Sequence, residues 1–191
     1  MSEATGPLLV VVTGPPASGK SGLADDLAEA LRLPLLTKDG VKEALFDALG
    51  TGDRDWSKRL GEATWRVVFH VVEGTLRADC SLVVEGNFET TYANPRFAEL
   101  PPFRTVQVYC TAPDDTLLER FRERAAEGRR HPGHAVGEAA EADLATGLRE
   151  GRWEPLDLPG PLVDYTRERD KEARTRRKAE LVGRVRELFE R

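Results

Sequence analysis

Eight residues near the amino terminus, Gly14 to Ser21, constrain this chain more than any others. They read Gly-Pro-Pro-Ala-Ser-Gly-Lys-Ser and fit the pattern G-x-x-x-x-G-K-[ST] of phosphate-binding loops. The apolar run Leu8 to Val12, typical of a buried parallel strand, precedes them, and a helix-like segment, Leu23 to Leu31, follows. A strand that turns through glycines into a helix directs several backbone N–H groups and the positive helix end at one point. A triphosphate satisfies that geometry.

Single positions in this loop have separate predicted roles. We predict that Lys20 reaches the β- and γ-phosphates and that the Ser21 hydroxyl binds Mg²⁺. Gly14 and Gly19 permit backbone angles and a close approach that a side chain would block. The alternative is a turn that only joins a strand to a helix. The predicted nucleotide-binding residues are Gly14, Pro15, Pro16, Ala17, Ser18, Gly19, Lys20 and Ser21.

Composition fits one domain with a sizeable core, because the chain has 191 residues. The net charge of −5 argues mildly against a general nucleic-acid binder, although it allows a local basic groove. We expect no membrane span and a cytoplasmic location, since the apolar runs are short and no basic region precedes the first of them. Cys80 and Cys110 each border an apolar run, which predicts buried thiols and no disulfide framework.

Strand-like and helix-like segments alternate, which predicts an α/β fold whose parallel sheet has helices on both faces. We predict helices that begin at Val41, Ser57 and Arg176, among others. Ligands of such sheets bind at the carboxyl ends of the strands. The polar residues at these predicted ends are therefore site candidates: Lys38 and Asp39, Glu85, the residues after Cys110, and Asp164.

Asp39 follows a short predicted strand and precedes a helix. Its carboxylate can face the γ-phosphate across the site, accept a proton from a substrate hydroxyl and orient that oxygen for in-line attack. The alternative, with equal weight from the residues alone, is a helix N-cap bonded to backbone N–H groups near Lys42. For Lys38, exposure to solvent is favoured over contact with an anionic group.

Glu85 closes the apolar run Leu82 to Val84. An acid in this position beside a phosphate loop commonly holds the water shell of Mg²⁺, more often as Asp than as Glu. The alternatives are a cap of the next element and a contact with the substrate. Asn87 follows in a flexible turn as a candidate substrate contact, whereas Phe88 is interpreted as packing.

A cluster of basic residues follows Cys110 in the sequence. Arg120 and Arg124 are four residues apart on a predicted helix and share one face. The glycine-flanked loop 128–137 adds Arg130. Phosphoryl transfer needs cations over the migrating phosphate, supplied by a part that can close and exclude water. We favour this role for the cluster, and the alternative is a solvated charged helix.

Two further charged features receive no catalytic role from the sequence. His131 and His134 are spaced like metal ligands, but without a cysteine or a third histidine nearby zinc is not favoured. The basic stretch Arg167 to Lys178 alternates with acids, which is typical of a solvated segment.

Together these motifs resemble the small P-loop kinases of the group that contains zeta toxin, chloramphenicol phosphotransferase, gluconate kinase and the kinase domain of polynucleotide kinase. The resemblance implies a three-layer P-loop NTPase fold with a five-stranded parallel sheet in the order 2-3-1-4-5. It also implies one kinase domain over residues 1–191, a small helical lid at about 113–150, and ATP with Mg²⁺. The matching segments are Gly14–Ser21, Lys38–Gly40, Val84–Gly86, Leu117–Arg124 and Arg130–His134.

The resemblance also implies residue roles. Asp39 corresponds by position to the acid that commonly acts as base for the acceptor hydroxyl, which favours function over a helix cap. Glu85 departs from the family's more frequent Asp. The predicted metal ligands are Ser21 and Glu85, and Asp39 and Asn87 are the predicted substrate contacts. The predicted catalytic residues are Lys20, Asp39, Arg120, Arg124 and Arg130.

Three functions compete at this point. The first is an ATP-dependent kinase that phosphorylates a hydroxyl of a small-molecule acceptor. The alternative is a polynucleotide 5′-hydroxyl kinase, which requires a basic groove leading to Asp39. The second alternative is a non-catalytic nucleotide-binding switch or sensor. A GTP switch needs Asn-Lys-x-Asp, which the sequence lacks, although Asp157 to Gly160 matches the switch pattern D-x-x-G.

Overall fold

The computed structural model describes residues 6–127, 131–134, 137–168 and 170–189. The five strands form one parallel sheet in the order β2-β3-β1-β4-β5, which confirms the predicted fold and strand order. In chain order the elements are β1 (Leu8–Thr13), α1 (Lys20–Leu31), β2 (Leu35–Thr37), α2 (Lys38–Leu49), α3 (Arg54–Arg77), β3 (Leu82–Glu85), α4 (Thr90–Ala98), β4 (Arg104–Thr111), α5 (Asp114–Ala126), α6 (Glu138–Arg149), β5 (Leu162–Thr166) and α7 (Lys171–Phe189).

The central strand β1 is buried along its whole length because its run of Leu and Val faces a helical layer on each side. Leu8, Val10 and Val12 share one core with residues of α1 and α7. Leu9 and Val11 point the other way, into a second core with residues of α3 and α4. Each fully buried Val or Leu side chain contributes about 1.5–3 kcal/mol to the free energy of unfolding. These two cores fix β1, and with it the loop that leaves its carboxyl end.

The long helix α3 begins earlier than the sequence predicted. Its N-cap is Asp53, whose carboxylate accepts a hydrogen bond from the Trp56 backbone N–H at 2.8 Å. Ser57, the predicted cap, lies one turn inside the helix and is buried. The predicted start at Ser57 was wrong because Asp and Ser are about equally good caps. Asp53 comes four residues earlier in the chain, and the helix begins there.

The carboxyl-terminal elements are longer than predicted. β5 extends to Thr166, so Asp164 lies within the strand and not at its end. The helix α7 begins at Lys171, five residues before the predicted Arg176, because the Asp170 carboxylate accepts a hydrogen bond from the Ala173 backbone N–H at 2.8 Å. The basic stretch from residue 167 therefore includes the first turns of a packed helix, contrary to its interpretation as a solvated segment.

The helix α4 was not predicted from the sequence. Its interior contains Pro95, which lacks an N–H and disfavours a helix. Ala93 and Phe97, one turn apart, are both buried. The centroid of the Phe97 ring lies 5.2 Å from that of Phe69 and 5.3 Å from that of Phe88. This aromatic packing stabilises the helix despite the proline.

The two cysteines differ in environment, and both are free thiols. Cys110, on β4, is buried, and this burial raises the pKa of its thiol to about 12. Cys80 is exposed, contrary to prediction, because it lies in the turn after α3 and not in the strand that follows.

Within the described ranges, no helix has both the length and the apolar character needed to cross a membrane.

Candidate active site

The loop from Gly14 to Gly19 connects the carboxyl end of β1 to the first residue of α1. Gly14 has a φ of +135°, and a Cβ atom there would overlap the Cys110 carbonyl oxygen on β4. Gly19 has a φ of +91°, and its Cβ would lie 2.7 Å from Cδ of Arg167. Gly14 is therefore required by conformation and by space, and Gly19 is required by its positive φ, since the arginine side chain beside it can move.

The amino terminus of α1 is built to receive an anion. Its cap residue, Gly19, supplies no side-chain hydrogen bond, and the first turn contains no acidic residue. The buried hydroxyl groups of Thr13 and Ser18 have no hydrogen-bond partner among the described residues. Backbone N–H groups at a helix start carry partial positive charge. These features fit the phosphates of a nucleotide.

Lys20 is the first residue of α1, and 8% of its surface is exposed. Its Nζ atom donates a hydrogen bond to the Pro15 carbonyl oxygen of the loop at 3.0 Å. Burial lowers the pKa of this lysine, while the nearby carboxylates of Glu85 and Asp39 act in the opposite direction. The ammonium group is thus held in the loop, among carboxylates.

Glu85 ends β3, and 3% of its surface is exposed. In the sheet it is aligned with Val12 of β1 and Thr37 of β2, so its position is fixed by neighbouring strands on both sides. Burial raises the pKa of its carboxyl group, and Lys20 lowers it. The chemistry of the pair Ser21 and Glu85, a hydroxyl at the start of α1 and a carboxylate at a strand end, fits Mg²⁺, which prefers oxygen ligands. Their role as ligands stays a prediction.

Asp39 is not the cap of α2. The cap is Thr37, whose hydroxyl oxygen accepts a hydrogen bond from the Gly40 backbone N–H at 3.1 Å. Asp39 lies in the first helical turn, and its side chain lines the cleft in front of the phosphate-binding loop. The structure therefore removes the capping alternative and leaves the carboxylate facing the candidate site.

Lys38 also differs from the prediction, since only 13% of its side chain is exposed. Its Nζ atom lies 2.9 Å from Oδ1 of Asp39, and its side chain lines the same cleft. Burial by itself raises the pKa of Asp39, but the charge and hydrogen bond of Lys38, with smaller contributions from His134 and Lys20, lower it to about 2. Asp39 is consequently ionised at any pH near neutrality.

The charge of Lys38 is expected to keep the pKa of Asp39 low. In a Lys38→Met variant we expect the pKa of Asp39 to rise above about 2, because the largest opposing influence is lost while burial remains. In the unchanged protein Asp39 favours folding above its ordinary pKa, and this contribution disappears as the pH falls through about 2. The variant should lose it at a higher pH. Titration of the Asp39 carboxyl ¹³C resonance measures the shift. An exposed-lysine variant, Lys58→Met, should leave the Asp39 titration unchanged, and equal curves for both variants would contradict the prediction.

The cleft has a volume of about 730 Å³ and extends from the phosphate-binding loop to α2, α5 and the start of α7. The predicted residues Arg120 and Arg124 both line it from α5. Arg120 donates a hydrogen bond from Nη2 to the Arg167 carbonyl oxygen at 3.0 Å, which ties α5 to the segment after β5. Arg130 lies outside the described residues. Asn87 lines the cleft, and Phe88 is buried in the second core as predicted.

The carboxyl-terminal segment, interpreted from the sequence as solvated, adds basic residues to the cleft. Arg167, Arg174 and Lys178 line the cleft beside the phosphate-binding loop. The Nζ atom of Lys178 donates to the Gly22 carbonyl oxygen at 2.8 Å and pairs with Oδ2 of Asp26 at 2.5 Å, so it joins α7 to α1. The spacing of Arg174 and Lys178, four residues apart, was the available signal that they share a helix face.

The segment 131–134, hereafter the docking segment, lies in the connection between α5 and α6 and contacts α2. His134 pairs with Glu43 at 2.9 Å, and His131 pairs with Asp47 at 3.1 Å. Both histidines therefore contact carboxylates of α2. His134 and Glu43 also line the cleft.

The sequence Asp157 to Gly160 does not belong to this site. Gly160 has a φ of +100°, and a Cβ there would lie 2.5 Å from the Thr105 carbonyl oxygen. The Thr105 hydroxyl donates to the Pro159 carbonyl oxygen. Thr105 is near the amino end of β4, whereas the cleft lies at the carboxyl ends of the strands. This D-x-x-G sequence packs against the sheet.

The model of the AAA domain family matches residues 9–146, and the chain belongs to that family. Its fold and motifs are those of the small P-loop kinases. No curated protein sequence matches the chain.

Solved structures resemble the whole chain. A protein from Chloroflexus aurantiacus, provisionally described as a kinase, is 39% identical, with a TM-score of 0.81 over 96% of this chain and 98% of that one. A gluconokinase from Sinorhizobium meliloti is 19% identical, with a TM-score of 0.56 over 96% and 95% of the two chains. Shikimate kinase from Acinetobacter baumannii is 20% identical, with a TM-score of 0.55 over 97% and 94%. The last two show the fold alone.

Proposed function

We propose that this protein is an ATP-dependent kinase that transfers the γ-phosphate of ATP to a hydroxyl group of a small-molecule acceptor. One observation carries the proposal: an ionised carboxylate, Asp39, and a phosphate-binding loop with its buried Lys20 face the same cleft. Nucleotide binding alone needs only the loop. A carboxylate across the cleft fits a second substrate whose hydroxyl must be oriented.

In the proposed reaction the acceptor oxygen attacks the γ-phosphorus in line. A bond forms between these two atoms, the bond from the γ-phosphorus to the β–γ bridging oxygen breaks, and ADP leaves. The hydroxyl proton passes to Asp39. With a pKa of about 2 in the free protein, Asp39 is a weak base, so its main contribution is a hydrogen bond that orients the hydroxyl. Proton transfer then comes late, as a loose transition state allows.

The donor side uses the charges near α1. Lys20 would leave its hydrogen bond with Pro15 to contact the β- and γ-phosphates. Ser21 and Glu85 would hold Mg²⁺, which when bound neutralises charge on the β- and γ-phosphates. Arg120 and Arg124, on the α5 wall of the cleft, are proposed to stabilise the charge of the transferring group.

The acceptor side favours a small molecule over a nucleic acid. The residues that line this side include one lysine, Lys38, and its charge is already compensated by Asp39. Glu43 adds a further carboxylate. A polynucleotide end would need several cations for its phosphates. The structurally similar gluconokinase and shikimate kinase are named for small hydroxyl-bearing acceptors, which supports the same class here.

A screen with ATP labelled at the γ-phosphate tests the proposal. Sugars, sugar acids, hydroxylated antibiotics and oligonucleotides with free 5′-hydroxyl ends would be offered in parallel. We expect label in at least one small molecule and none in the oligonucleotides, because Lys38, the lysine that lines the cleft beside Asp39, is already paired with that carboxylate. Labelled oligonucleotides would overturn the choice of acceptor. Undiminished labelling in an Asp39→Asn control would contradict the proposed role of Asp39 in the transfer.

A further inference from the structure

The docking segment connects two parts of the cleft that are distant in sequence. It follows α5, which carries Arg120 and Arg124, and it contacts α2, whose first turn carries Asp39. Its contacts with α2 join residues 84 and 91 positions apart. Among the described residues, the contact between α2 and the docking segment thus links the donor-side arginines to the acceptor-side carboxylate.

The fit between the segment and α2 is close. Phe46 of α2 has 2% of its surface exposed, and a Cβ atom on Gly133 would overlap its ring. The His131 ring stacks on the same Phe46 ring, with 5.5 Å between centroids and 14° between planes. A glycine is needed here for space, since any side chain at residue 133 would move the segment away from α2.

Polar contacts fix the register of this fit. His131 and His134 pair with Asp47 and Glu43, which are one helical turn apart on α2. Ser57, on the first turns of α3, donates from its hydroxyl to the Gly133 carbonyl oxygen at 3.3 Å. The Ser57 oxygen in turn accepts from Nζ of Lys42 at 3.1 Å. These two hydrogen bonds satisfy the Ser57 hydroxyl in its buried position inside α3.

The docked position closes one side of the cleft. His134 is buried, and together with Glu43 it lines the cleft on the side of Asp39. A wall in this position limits the access of water to the γ-phosphate and confines the acceptor beside Asp39. Without the wall, water could attack the γ-phosphorus in place of the acceptor and yield ADP and inorganic phosphate.

We propose that the docking segment is a latch on α2 that completes the acceptor wall, with His131, Gly133 and His134 as positioning residues. The role of the latch in catalysis rests on the proposed kinase function. The contact between the docking segment and α2 does not depend on that function. It directs the γ-phosphate to the acceptor instead of water. Its strength is set by the Phe46 surface and the two histidine–carboxylate pairs.

A Gly133→Val variant tests the contact itself. Hydrogen–deuterium exchange, measured by mass spectrometry on the whole protein without nucleotide, should become faster in the α2 peptide around Phe46 and in the docking segment. The matched control is Gly74→Val, on α3, where a Cβ atom meets nothing within 4 Å. Equal exchange of these peptides in the wild type and the Gly133→Val variant would overturn the latch whatever reaction the protein catalyses.

The purpose of the latch is tested with an acceptor that the screen identifies. In Gly133→Val we expect the KM for the acceptor to rise, and the ratio of transfer to hydrolysis to fall, each by about tenfold, with the KM for ATP nearly unchanged. Glu43→Gln, which keeps the shape of the site, should move both quantities in the same direction by a smaller factor. An unchanged ratio in both variants would overturn the proposed purpose. If no acceptor is phosphorylated at all, the kinase proposal fails. The hydrogen–deuterium exchange measurement still shows whether the docking segment holds α2.

Discussion

Replacing Lys20 with Met should lower kcat/KM for phosphoryl transfer by about 10²–10³-fold, the range seen when one charge-stabilising donor is removed from an active site. Met keeps the length of the side chain and removes its charge. The β- and γ-phosphates then lose the cation that lies within the loop, and the nearby carboxylates of Glu85 and Asp39 lose the charge that compensates them. Both effects disfavour the build-up of negative charge around the transferring group.

The same variant should fold as well as the wild type. Burial opposes the charged form of Lys20, as its lowered pKa shows, so an apolar side chain is tolerated in this position. Thermal unfolding separates folding from binding. ATP at about a hundred times its Kd should raise the Tm of the wild type by about 5 °C or more, and this rise should nearly vanish in Lys20→Met. The control is Lys58→Met, an exposed change on α3. An undiminished ATP-induced rise together with full turnover would contradict the role of Lys20.

The donor half of the site was predictable because its signals are local. Gly14 and Gly19 have positive φ angles that favour glycine, and Lys20 follows directly in the helix. A strand, a loop and a helix that are consecutive in the chain place these groups without help from distant residues. For the same reason the apolar run from Leu8 to Val12 was correctly predicted as a strand, which in the structure ends one residue later, at Thr13.

The acceptor half depends on contacts between distant residues, which no local pattern contains. His131 and His134 are paired with carboxylates of α2 that occur more than eighty positions earlier. The sequence showed only two histidines in a basic loop. Likewise, Arg174 and Lys178 alternate with acids and resemble a solvated helix, and only the packing of α7 on α1 brings them to the cleft.

Asp39 and Lys38 illustrate an intermediate case. The residues alone left a cap and a catalytic acid equally weighted for Asp39, because both are favoured just before a helix. The choice depended on a neighbouring residue, since Thr37, two residues earlier, occupies the cap position and its hydroxyl oxygen accepts a hydrogen bond from the Gly40 N–H. With that position taken, the Asp39 carboxylate lies in the first turn, beside Lys38.

The Asp39→Asn variant is expected to bind ATP with unchanged affinity and to lose transfer to the acceptor by about 10²–10⁴-fold, the range for removal of a general acid or base. Asn keeps the size of the side chain and can still accept a hydrogen bond from Lys38. It cannot take the proton of the acceptor hydroxyl, and its neutral oxygen orients that hydroxyl less strongly. The cap of α2 is Thr37, so the helix should remain intact and the Tm should change little.

Three measurements on this variant separate the proposed role from a structural one. The ATP-induced rise in Tm reports nucleotide binding, kcat for transfer reports the chemical step, and the circular dichroism spectrum reports the helices. The matched control is Asp115→Asn, an exposed acid in the first turn of α5 that has the same relation to its helix dipole. We expect it to leave kcat unchanged. If Asp39→Asn kept normal transfer, or lost ATP binding and transfer by equal factors, Asp39 would not be the residue that distinguishes this site from a simple nucleotide-binding loop.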